Sequence, residues 1–76
     1  MKSTNLLSII VPVYNEEGNI SLLTEAIENA LKEFKYEIIY IDDFSTDNTR
    51  KDVKELNNEH VVLIEMKKNY GQSSAL

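Results

Sequence analysis

Three carboxylates crowd the segment Asp42-Asp43-Phe44-Ser45-Thr46-Asp47, directly behind the apolar run Ile38 to Ile41. Carboxylates so placed can accept hydrogen bonds from a nucleobase or a ribose, or supply oxygen ligands to a divalent cation. A second polar edge, Tyr14-Asn15-Glu16-Glu17, follows the apolar run Leu6 to Val13 in the same way. If both runs are strands of one open parallel sheet, their carboxyl ends face a common crevice, which is where ligands bind in such sheets. Tyr14 and Tyr70 add flat rings able to stack on a base, and Lys67 and Lys68 add cations suited to phosphate. Each feature has a plainer reading. Asp43, Ser45 or Asp47 can cap the next helix, where a carboxylate also suits the helix dipole. Capping is favoured for Asp47, whereas Asp42 sits at the strand tip, ahead of any helix that could use it. The rings can be loop packing and the lysines solvated, and Thr49, Arg50, Lys51, Asp52 and Glu55 read as an exposed helix face.

The elements that position these residues follow from periodicity. Leu6 to Val13 is almost continuously apolar and β-branched, the pattern of a central strand covered on both faces. Pro12 lacks an N–H and marks where pairing gives way to loop. From Asn19, Leu22, Leu23, Ala26, Ile27, Ala30, Leu31 and Phe34 recur at three- and four-residue steps, which predicts a helix with Glu25, Glu28 and Lys32 on its other face. Asn19 is its expected N-cap. Ile38 to Ile41 reads as a second strand, Thr46 to Leu56 as a more polar helix with Val53 and Leu56 as core contacts, and Val61 to Ile64 as a third strand. Asn57-Asn58 ends the second helix. Strands alternating with helices imply an α/β fold with parallel pairing and right-handed crossovers.

Composition removes several classes. A formal net charge of −5 and a pI near 4.7 disfavour nucleic acid, whose binding rests on neutralisation by Lys and Arg. Without cysteine there is neither a disulfide framework nor a thiolate site, and His60 alone cannot build a zinc centre. The Gly-x-Gly-x-x-Gly turn of dinucleotide-binding folds is missing after the first run, where Glu16 and Glu17 would repel a diphosphate. No small-residue cleavage site follows the first apolar run, and nothing approaches the roughly 20 apolar residues of a spanning helix. A cytoplasmic setting fits this composition. The 76 residues are at most one domain, and the closing segment 71–76 reads as a loop entering a helix, so the chain is expected to be the front part of a larger one.

Three blocks, Ile-Ile-Val-Pro-Val-Tyr-Asn-Glu-Glu at 9–17, Ile-Asp-Asp-Phe-Ser-Thr-Asp-Asn-Thr at 41–49 and Lys-Asn-Tyr-Gly-Gln-Ser-Ser-Ala-Leu at 68–76, together resemble the family 2 inverting glycosyltransferases. The third looks most like the branch that glycosylates polyprenyl phosphates. The resemblance implies residues 1–76 as the N-terminal nucleotide-binding part of a Rossmann-like glycosyltransferase domain, with parallel strands ordered 3-2-1. It further implies transfer of a sugar, with inversion, from a nucleotide-diphosphate donor (UDP favoured) to an acceptor such as a polyprenyl phosphate, at the inner face of a membrane. By that likeness Pro12, Tyr14 and Glu16 line the nucleoside pocket, Asp42 accepts from the base and Asp43 supports the ribose. Lys68, Asn69 and Gly71 border the pocket. Phe44 stands where the family usually has a small residue, often Gly, and either narrows the pocket or reshapes the turn. The family's metal-binding Asp-x-Asp and its catalytic base lie outside these residues, so Mg²⁺ or Mn²⁺ is expected only in the full-length protein, and this chain alone should not turn over. Two other classes compete. A phospho-receiver domain would also carry acidic residues behind a buried strand, but after its first strand rather than its second. A non-catalytic binding or assembly module would self-associate through an exposed edge of the first strand.

Overall fold

The computed structural model describes residues 5–67, so Lys68, Asn69, Tyr70 and Gly71 lie outside the described residues. The chain runs β1 (Leu6–Val13), α1 (Ile20–Leu31), β2 (Lys35–Asp42), α2 (Thr49–Glu55) and β3 (Val61–Glu65). The three strands form a parallel sheet in the order β1-β2-β3, which is the expected 3-2-1 arrangement. β2 pairs with β1 along its whole length, from Leu6 opposite Lys35 to Val13 opposite Asp42, and so extends beyond the apolar run that marked it in the sequence.

Both helices lie on one face of the sheet. The core joins Val13 of β1, Ile38 and Tyr40 of β2, Ile20 of α1 and Val53 of α2, with Leu23, Ile27, Leu56, Val61 and Leu63 packed around it. The two-sided burial expected for β1 is therefore not what is found. Burial alternates along it, and Leu6, Ser8, Ile10 and Pro12 face away from the helices. Among the described residues β1 is also an edge strand rather than a central one. A continuous apolar run does not by itself say whether both faces are covered. Register joins Ile10, Ile39 and Val62 into one row of the open face and Pro12, Ile41 and Ile64 into the next.

The α1 stripe is narrower than its periodicity implied. Ile20 and Thr24 are buried, Leu23, Ile27 and Leu31 are half-buried, and Leu22, Ala26, Ala30 and Phe34 are exposed. A polar bond sets this rotation. The Thr24 hydroxyl donates to the Ile20 carbonyl at 2.8 Å and stands 2.6 Å from the Tyr40 hydroxyl. Thr24 has one hydrogen, so Tyr40 must be the donor to Thr24. Glu28, expected on the free face, instead accepts from Tyr36 and Asn58.

α2 begins at Thr49 rather than Thr46 because Ser45 to Asn48 are engaged in the loop bonding described below. It ends where expected, with Asn57 at φ 48°, a left-handed position that Asn tolerates better than most residues.

Thr24→Val should leave the buried Tyr40 hydroxyl without an acceptor and lower stability by about 1–3 kcal/mol, whereas Thr24→Val with Tyr40→Phe should recover most of the loss. Urea unfolding of the two single variants and the double variant measures this, and additive losses would contradict the pairing.

Candidate functional site

The tips of β1 and β2 are adjacent by register, and the Asp43 N–H donates to the Val13 carbonyl at 2.9 Å just beyond them. From there the loop after β1 and the segment after β2 run side by side, laced by side chains. The N–H groups of Asn15, Glu16, Glu17 and Gly18 donate in succession to Ser45 Oγ, Thr49 Oγ1, Asp47 Oδ2 and Asp52 Oδ2, at 2.8–3.2 Å. The reverse direction is also used. Asn15 Oδ1 accepts from the Thr46 N–H at 2.8 Å, and the Glu17 carboxylate accepts from the Asn48 backbone and side-chain amides.

This lacing settles what several acidic residues do. Asp47 Oδ1 accepts both the N–H and the hydroxyl of Thr49, so the residue serves the start of α2 and the neighbouring loop. Thr49 is fully buried and Asp52 accepts from Gly18, so neither is part of a merely exposed helix face. Gly18 itself lies at φ 88°, in the left-handed half of backbone space that favours glycine. Asn19 occupies the N-cap of α1, yet its side chain turns to Glu16 instead of capping. Phe44 holds φ 62°. The turn therefore keeps the glycine-type geometry, at a cost of roughly 1–2 kcal/mol for a residue with a Cβ.

Asp42 differs from its neighbours. Its side chain is fully buried at the tip of β2, and Oδ2 accepts from the Ser45 N–H at 3.0 Å and from Arg50 Nε at 2.5 Å. Oδ1 is buried and has no hydrogen-bond partner among the described residues. Burial alone would raise the pKa of this carboxyl, but hydrogen bonds from Ser45 and Arg50 and the Arg50 charge outweigh burial and hold it below 3.8. Arg50 also donates to Glu65 Oε1 at 3.2 Å and to the Met66 carbonyl at 3.0 Å, and Lys54 pairs with Glu65 at 3.1 Å.

Tyr14, at the same end of the sheet, is 56% exposed, and Glu16 is half-buried with its backbone on Thr49. Asp43 is exposed. Pro12 pairs in register with Ile41 and belongs to the open face, opposite the side chain of Asp42. The structure thus gathers Tyr14, Glu16, Asp42 and Asp43 at one end and sets Pro12 on another face. Lys68, Asn69 and Gly71 lie outside the described residues. Asp47 is engaged by Thr49 and Glu17, and Asp42 Oδ2 by Arg50 and Ser45, so neither offers a full carboxylate to a cation. Among the described residues no group of three or more acidic, His or Cys side chains could hold a metal ion. A hollow of about 870 Å³, bordered by Glu28, Asn58 and His60, opens at the far end of the sheet, away from Asp42.

The profile of Glycosyl transferase family 2 matches residues 8–76. The chain belongs to this family. It is 40% identical over 77 residues to the undecaprenyl-phosphate 4-deoxy-4-formamido-L-arabinose transferase of Proteus mirabilis, covering 95% of this chain and 24% of that protein. The corresponding Yersinia enterocolitica protein is 39% identical over 75 residues, covering 92% of this chain and 23% of its own length. The dolichol-phosphate mannosyltransferase of Pyrococcus furiosus is 41% identical over 71 residues, covering 92% and 20%. The chain therefore spans 20–24% of the length of these relatives. Its polyprenyl-phosphate-like third block agrees with their names, and the phospho-receiver reading gives way to membership of an enzyme family.

Sequence reasoning missed Arg50, which meets both Asp42 and Glu65. The available signal was its place: the second residue of a helix that starts just behind a strand tip lies above that tip.

Because Asp42 and Asp47 both titrate below 3.8 in the folded protein, each contributes stability that is complete above that value and lost as pH falls through the lowered one. Urea midpoints should stay level from pH 7 to about 5 and fall below 3.8, with a shallower fall in Asp42→Asn. A midpoint that rises on acidification would contradict the assignment.

Proposed function

We infer that the full-length protein transfers a sugar, with inversion, from a nucleoside-diphosphate donor to a polyprenyl phosphate, and that residues 1–76 form the nucleoside-binding part. The observation that carries this is the buried Asp42 with Oδ1 unpartnered at the strand tip. An ionised carboxylate only accepts. It selects a base edge that offers N–H, such as the imide of uracil or the N1–H and amino group of guanine, and it disfavours cytosine, whose ring nitrogen would oppose it lone pair to lone pair. UDP is the favoured donor carrier. Oδ1 is closed off from solvent, so a base reaches it only when the covering side chains move.

By the family motif Tyr14 and Glu16 line the nucleoside pocket, Tyr14 with a ring able to stack, Asp43 supports the ribose, and Lys68, Asn69 and Gly71 belong to the same motif set. The diphosphate does not rest on the loop after β1, because the N–H groups of residues 15–18 are already bonded to Ser45, Thr49, Asp47 and Asp52. In the transfer, an acceptor phosphate oxygen attacks the anomeric carbon from the face opposite the departing diphosphate. An acceptor phosphate is already ionised and needs little base assistance. A divalent cation, when bound through residues beyond this chain, neutralises the leaving diphosphate. A lipid-phosphate acceptor implies work at the cytoplasmic face of a membrane. No described helix is long and apolar enough to cross one.

Calorimetric titration of the full-length protein with UDP, GDP and CDP tests the reading. UDP or GDP should bind at least tenfold more tightly than CDP, and Asp42→Asn should weaken that binding about tenfold or more. Equal affinity of wild type and Asp42→Asn, or no release of nucleoside diphosphate from any UDP- or GDP-sugar with Mg²⁺ or Mn²⁺, would overturn it. In isolation the 76-residue chain should self-associate through the edge of β1, where backbone groups stand unpaired among the described residues. Sedimentation giving a stable monomer at high concentration would contradict that.

A further inference from the structure

One planar group joins three parts of the fold. Arg50, from the first turn of α2, reaches Asp42 Oδ2 at the tip of β2, Glu65 Oε1 at the last residue of β3 and the Met66 carbonyl just past it. A guanidinium making three bonds in three directions is fixed in orientation, which a point charge is not. The consequence falls on the carboxylate. With Oδ2 held by Arg50 and the Ser45 N–H, the Asp42 side chain cannot turn, and Oδ1 is left as its open acceptor.

We propose that Arg50 is a positioning residue for donor recognition, holding Asp42 so that Oδ1 faces the nucleobase N–H and fastening the end of β3 to the same point. The inference rests on the reading of Asp42 as the base acceptor. Arg50 does not touch the donor, and it acts through the orientation and charge of Asp42. The charged groups around this carboxylate are few. Arg50 comes from α2, with Lys54 of the same helix paired to Glu65 of β3. Asp43 and Asp47 follow in the loop, and β1 contributes the apolar Val13 opposite. Arg50 is the cation bonded directly to Asp42. Without it a carboxylate this buried takes up a proton at higher pH, and a protonated carboxyl presents a hydroxyl where the base presents its own N–H. Loss of Arg50 should therefore make donor binding depend on pH in a range where the wild type shows no dependence.

The test is UDP and GDP affinity of the full-length protein between about pH 7 and about pH 8.5, above the phosphate ionisation at about 6, for wild type, Arg50→Met, Arg50→Lys and Asp42→Asn, with circular dichroism confirming that each variant is folded. Wild-type affinity should be level. Arg50→Met should bind about tenfold to a hundredfold more weakly at neutral pH and regain affinity as pH rises, while Arg50→Lys should keep the charge and recover part of the loss. A loss in Arg50→Met that is the same at every pH, or no loss in either Arg50 variant, would overturn the proposal. Should Arg50→Met fail to fold, Arg50→Gln, which also removes the charge, is read in its place. A deficit shrinking toward high pH supports the proposal, and wild-type affinity or a constant deficit opposes it. If Asp42→Asn binds as wild type does, the base-acceptor reading itself fails. If Asp42→Asn is impaired while both Arg50 variants bind normally, only the role of Arg50 fails.

Discussion

The charge at the tip of β2 has left water, and the local structure follows from how it is kept ionised. A carboxylate with no exposed surface is tolerable only with a cation and hydrogen bonds around it, and Asp42 has Arg50 and Ser45. Removing one partner of such a pair typically costs about 3–5 kcal/mol, because the other charge stays buried and alone. That magnitude exceeds the worth of any single loop bond nearby, so the position of α2 over the strand tips is set first by Arg50. The lacing of residues 45–52 onto residues 15–18 then follows. The unmatched feature is Oδ1, a buried acceptor without a partner, whose cost is sustained by the pair on the other oxygen.

The lacing also sets this loop apart from the glycine-rich turn of dinucleotide-binding folds. In dinucleotide-binding folds the first loop leaves its N–H groups free for a pyrophosphate at a helix N-terminus. Here Asp47 and Asp52, with the hydroxyls of Ser45 and Thr49, take those donors internally. The anion site is filled by the protein's own side chains, and the loop becomes a rigid wall. Glu16 and Glu17, which would repel a diphosphate there, are consistent with that wall.

Much of this was legible in the residues. Leu6–Val13 announces β1 to the residue, since an apolar run interrupted only by Ser8 ends at the polar edge Tyr14-Asn15-Glu16-Glu17. The α-β alternation gives parallel pairing, and the acidic segment after Ile41 falls at the tip of β2, beside the tip of β1. What the pattern could not convey was which polar atoms meet across thirty positions of sequence. Thr49, Arg50 and Asp52 look alike on a helical wheel, as polar residues of a short helix. Only the surroundings in the fold make one a buried acceptor, one the cation that holds a buried carboxylate and one a partner for Gly18. The start of α2 was misplaced for the same reason, because Ser45 to Asn48 bond across to the other loop instead of continuing a helix. The rotation of α1 hung on a single hydroxyl pair, Thr24 and Tyr40, that periodicity cannot register. Family motifs add what the physics of single residues does not, namely membership of Glycosyl transferase family 2.

The most direct measurement is a crystal structure of the full-length protein with UDP bound. The account predicts the uracil N–H within hydrogen-bond distance of Asp42 Oδ1, Arg50 still on Oδ2, and the base against Tyr14. A uracil seated elsewhere, with Oδ1 still buried and unpartnered, would contradict it.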